Sequence, residues 1–156
     1  MHTAQEPGDT MSESEERAQR LAERTAEAMF ERDRASQMLG MRIAEMRPGY
    51  ARVVMDVRAD MVNGLRICHG GLIFSLADSA FAFACNSYNE KTVAAAAQID
   101  FLAPAREGDA LTAVARQAWR SGRSGIYEIT VTDQNGKPIA LFRGRAHRID
   151  GTVTGP

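Results

Sequence analysis

One segment constrains this chain more than any other. From Leu72 to Cys85 it reads LIFSLADSAFAFAC, almost entirely apolar or small, with a single charge at Asp78. On a helical wheel Ile73, Leu76, Ala77, Ala80 and Ala84 share one side. Phe74, Phe81, Ala82 and Cys85 take much of the other, and Asp78 points their way. A helix that is hydrophobic on both sides must be enclosed. The run is too short to span a bilayer, so what encloses it is protein. Desolvation there pushes a carboxyl pKa up, towards the range of a base at neutral pH. The alternative reading gives Asp78 a structural role, capping a loop or bonding to Asn63 or Ser79.

The rest of the chain supplies strands to wrap that helix. Ala51, Val53, Met55 and Val57 alternate with Arg52, Val54, Asp56 and Arg58, the period of a half-buried strand. Four more strand segments follow at 92–102, 110–120, 125–133 and 138–149, and Asn135-Gly136 predicts a tight hairpin between the last two. Upstream, Ser12 and Glu15 form a capping box, and Ala18, Leu21, Ala22, Thr25, Ala28 and Met29 recur at helical spacing. That helix should stop near Gly40. The order is one helix, one or two strands, a second helix, then a meander of four strands. The class is α+β with an antiparallel sheet. Residues 1–11 read as a disordered tail and 12–156 as a single domain.

Composition narrows the chemistry. A net charge of -1 gives no basic field for nucleic acid or an anionic membrane. Three histidines and two scattered cysteines offer no zinc cluster and no disulfide framework. With no apolar leader in the first thirty residues, the expected location is cytoplasmic. No nucleophile elbow, Walker loop or dinucleotide fingerprint is present. What is present is "CHGG" at the start of the apolar helix. Gly70 and Gly71 allow close approach of the backbone, and their amides sit at the positive end of a helix dipole, suited to an oxyanion. His69 lies beside them, Asn63 six residues before, and Asp78 two helical turns beyond. Together these are the parts needed to activate a water and hold a tetrahedral oxyanion.

The stretches "NGLRICHGGLIFSLADSAFA", "IDFLAPAREGD" and "ALFRGRAHRIDGTVTG" resemble the hotdog-fold acyl-CoA thioesterases of the phenylacetic-acid degradation (PaaI) type, over roughly two thirds of the chain. The resemblance implies an antiparallel sheet of about five to six strands wrapped around a central helix, with an extra N-terminal helix. It implies two subunits joined edge to edge, commonly paired again into a tetramer, with active sites between subunits. Gly70, with Gly71 beside it, would polarise the thioester carbonyl. Asp78 of the partner subunit would be general base or nucleophile. Asn63 would bind the carbonyl or the water, and His69 would contact the thioester.

Phe74 and Phe81 are expected to line the acyl pocket, and Arg120 and Arg123 to meet the coenzyme A phosphates. Arg143, Arg145 and Arg148 are further candidates for those phosphates. The chain departs from its relatives at "VAAAAQID", where a Ser or Thr often orients the water; Gln98 is one possible substitute. The expected reaction is hydrolysis of an aryl-acetyl or medium-chain acyl-CoA, with no cofactor beyond the substrate's own coenzyme A. The alternatives are a hotdog hydroxyacyl-CoA dehydratase and a non-catalytic acyl-CoA-binding protein.

Overall fold

The computed structural model describes residues 11–155, so the expected tail lies, Met11 apart, outside the described residues. Helix α1 spans Glu13–Phe30 and opens on the expected capping box, with Ser12 and Glu15 bonded reciprocally. It does not run on to Gly40. Asp33 accepts the Ser36 amide and starts a separate short helix α2, Arg34–Met38, so the chain turns between the two. Gly40, at φ +69°, then ends the helical segment as expected.

Strands β1 (Arg42–Arg47) and β2 (Tyr50–Asp56) form a hairpin. A loop leads into the central helix α3, Gly70–Asn86. Strands β3 (Glu90–Phe101), β4 (Ala110–Ser121), β5 (Ser124–Thr132) and β6 (Pro138–Thr152) follow. All six lie in one antiparallel sheet ordered β1-β2-β4-β5-β6-β3. Only β4, β5 and β6 form a meander. Strand β3 leaves its sequence neighbour and pairs with β6, which frees β4 to pair with β2 and places β3 at the open edge. The Asn135-Gly136 turn is wider than a two-residue hairpin. Only Gly136 takes positive φ, and Asp133 Oδ1 accepts from the amides of Asn135 and Lys137.

The sheet curls around α3. Ile73, Leu76, Ala77, Ala80, Phe81, Phe83 and Ala84 of α3 are buried against the inward residues of β2, β4, β5 and β6. Phe81 packs on Tyr127 and Phe142, and Gly144 leaves it room: a Cβ there would come within 2.6 Å of the ring. The enclosure is incomplete. Phe74, Ser75, Asp78, Ser79 and Ala82 form a half-exposed stripe along α3, and Ala94–Ala97 on β3 are exposed. No helix among the described residues is long and apolar enough to cross a membrane.

Candidate active site

The loop before α3 is held by its own backbone. Asn63 N–H donates to the Ile67 carbonyl, Cys68 N–H to Ala105 and His69 N–H to Met61. Asn63 Oδ1 accepts from the amides of Leu65 (2.9 Å) and Ile67 (3.4 Å). With that oxygen committed to the loop, the Asn63 side chain presents its NH2 group, a donor, to the surroundings.

At the helix start the amides are not equivalent. Leu72 and Ile73 donate to the His69 carbonyl, and Gly71 donates to His69 Nδ1 at 3.0 Å. Gly70 N–H has no partner among the described residues. It lines a hollow of about 420 Å³ with Asn63, Ile67, Cys68, Ile73 and the segment from Phe101 to Pro104. A Cβ on Gly70 would lie 3.1 Å from Phe101 Cζ, so the aromatic ring rests directly on the glycine. Among the residues lining the hollow, the Asn63 NH2 group and the Gly70 amide are donors with no partner among the described residues. Donors in an apolar, partly dehydrated site are what a developing oxyanion requires.

The remaining expected residues are placed elsewhere. His69 borders a second hollow, with Asp60, Met61, Val62, Gly71 and Leu72. Asp78 lies eight residues along α3 from Gly70, about 12 Å at the helical rise, and lines neither hollow. Burial alone holds its carboxyl above the usual carboxylate range. Among the described residues no hydrogen bond reaches the Asp78 carboxyl, from a loop amide, Asn63 or Ser79. Asn63 is bonded within its loop, and Ser79 bonds to Ser36 on α2. Phe81 is core. Phe74 is half-buried with its ring edge-on to Phe142 at 5.2 Å.

Arg120 and Arg123 sit near the opposite end of α3. Arg120 pairs with Glu90 and stacks over the Tyr88 ring, while Arg123 pairs with the exposed Asp150. Arg148 also pairs with Glu90. Gln98 pairs in register with Arg143 on the outward face of the sheet, away from α3. Burial pushes the Cys85 thiol up to about 12, which makes it an inert core residue. The hydrophobic wall of the hollow (Phe101, Leu102 and Pro104) was not singled out by sequence reasoning. Its only signal was that "FLAP" falls inside a stretch shared with the resembled family.

Comparison with known proteins agrees with this fold. The Thioesterase superfamily model matches residues 65–140. The acyl-coenzyme A thioesterase PaaI of Escherichia coli is 50% identical over 130 residues, covering 83% of this chain and 93% of that protein. The structure of the E. coli PaaI protein from the phenylacetic acid degradation operon superposes with a TM-score of 0.86, covering 86% of this chain and 98% of that one at 47% identity. The phenylacetic acid degradation protein PaaI of Thermus thermophilus, as an Asn-to-Asp variant, gives a TM-score of 0.72 at 35% identity, covering 75% of this chain and all of that one. With its sheet wrapped around α3 and half of 130 aligned residues identical to those of a PaaI protein, the chain belongs to the hotdog-fold thioesterase superfamily, in its PaaI branch.

Proposed function

We propose that this chain hydrolyses acyl-CoA thioesters, of aryl-acetyl (phenylacetyl or hydroxyphenylacetyl) or medium-chain acyl groups, in phenylacetate breakdown. The observation that carries the reading is the unpartnered amide of Gly70, which lines a largely apolar hollow together with Asn63. These two donors polarise the thioester carbonyl. Water adds to its carbon as a carboxylate takes the proton, and the tetrahedral oxyanion collapses to release the coenzyme A thiol and the free acid. Asp78 is that carboxylate, from a second copy of the chain; as nucleophile it would instead attack the carbonyl carbon itself, expel the coenzyme A thiolate and leave a mixed anhydride that water then opens to the free acid. Two features support a shared site: Asp78 is too far from its own Gly70, and α3 and β3 both leave apolar surface uncovered. A twelve-residue open edge with small side chains at Ala94–Ala97 suits strand pairing between subunits. The dimer then pairs again into a tetramer.

No cofactor enters this mechanism. Arg123, held by an exposed ion pair of little worth and one long bond to the Arg148 carbonyl, is free to exchange Asp150 for a coenzyme A phosphate. Arg120 is more firmly occupied. Two buried free thiols suit a cytoplasmic protein. Free-thiol release from a panel of acyl-CoAs tests the reaction. Asp78→Asn is expected to lower turnover by about 10²–10⁴-fold while leaving the oligomer intact. Equal turnover in the variant, or none in the wild type with any acyl-CoA, refutes the assignment.

A further inference from the structure

The pair of glycines after His69 has two separate causes. Gly70 lies under the Phe101 ring. Gly71 lies against the imidazole, where a Cβ would come 3.2 Å from His69 Nδ1 and 3.5 Å from Cε1. The imidazole is therefore packed on the first turn of α3, with Nδ1 as acceptor of the Gly71 N–H at 3.0 Å. An accepting Nδ1 carries no proton, which puts the ring hydrogen on Nε2. Histidine is an unusual N-cap, since Ser, Thr, Asp and Asn are preferred. Here the side chain also borders a different hollow from the one that Asn63 and Gly70 line.

We infer that His69 is a positioning residue, one that satisfies the Gly71 amide and so leaves Gly70 N–H as the one open amide of the first turn of α3, in a fixed direction. This rests on the hydrolase reading above. The His69 carbonyl already takes the next two amides, so one residue satisfies three of the first four N–H groups of α3. Two adjacent glycines are the least restrained backbone a chain can offer. Without the cap the first turn frays, and a donor that must reorient during the reaction loses most of its value. The imidazole acts through the backbone, and the substrate meets the Gly70 amide.

Three variants separate this from direct contact with the thioester. His69→Asn places an acceptor close to where Nδ1 sits, His69→Gln reaches towards the Nε2 position, and His69→Ala removes both. The readouts are kcat and KM for thiol release, and hydrogen exchange at the Gly71 amide. The expected result is that Asn keeps kcat within about threefold and keeps Gly71 protected. Ala and Gln lower kcat about tenfold or more, short of the full loss of an oxyanion donor, with KM little changed and Gly71 exchange accelerated. Retention by Gln with loss by Asn overturns the inference, because the ring then acts through Nε2. So does a Gly71 amide that loses protection in the Ala variant while kcat stays at the wild-type value. A wild type that turns over no acyl-CoA refutes the hydrolase reading instead. It is told apart from failure of the cap, which shows as an unprotected Gly71 amide in the wild-type chain.

Discussion

Single residues carry opposing demands in this molecule. Asp78 is kept above the usual carboxylate range by burial, so the folded state holds its proton more tightly than the unfolded chain does. The associated stability is present below the ordinary carboxylate pKa and is lost as pH rises through the elevated one. Asp78→Asn should therefore raise Tm at pH 7, and the gap should close as the pH is taken below the ordinary carboxylate range. In the wild type, kcat/KM should fall on the acid side through a pKa higher than a free aspartate's, because the base must be ionised. Gly144 makes a steric demand. Gly144→Ala drives a methyl into the Phe81 ring, and a loss of about 1–3 kcal/mol is expected from urea midpoints. Adding Phe81→Leu should recover part of it. At this scale the sequence was informative about polar groups and poor about their surroundings. A lone Asp in an apolar helix and a His before two glycines are visible as letters. That Phe101 sits on Gly70, or that Phe81 is spent on the core, depends on strands far apart in the chain.

Among elements, most of what could be read locally held, apart from the break after Phe30 and the width of the Asn135-Gly136 turn, and the order of strand pairing did not. The capping box, the central helix and the four late strand segments follow from spacing and cap chemistry within a few residues. The break after Phe30 was missed because Asp33 is one more charged residue on a charged helix face until its carboxylate is seen to accept the Ser36 amide. The position of β3 beyond β6 was missed for a different reason. Alternation says that a segment is a strand and is silent about its neighbour. Strand β3 is also where assembly is most exposed to change. Ala95→Lys puts a charge on the open edge, a common device against edge pairing. Light scattering at micromolar concentration should then give a folded monomer, and thiol release should fall in parallel. A fully active monomer would show that each chain holds a complete site.

For the whole molecule, the division of the site predicts complementation. Chains carrying Asp78→Asn and chains carrying Asn63→Ala should each be nearly inactive. Mixed in equal amounts and reassembled, half the dimers are hybrids with one intact site of two, so activity should recover to about one quarter of wild type. No recovery would place Asp78 and Asn63 of one site on the same chain. The strand order has a further consequence, for synthesis. β3 is made before β4 but can pair only with β6, the last strand. At about 5–20 residues per second, the stretch from 102 to 137 takes about two to seven seconds to emerge. Through that interval the alanine-rich edge has neither its own partner nor a second chain, while β2, β4 and β5 can already pair in turn. A ribosome that stalls late, or a stop codon before β6, leaves twelve residues of bare strand. Such truncated chains should be insoluble, whereas losing the same number of residues from the N-terminus spares every strand.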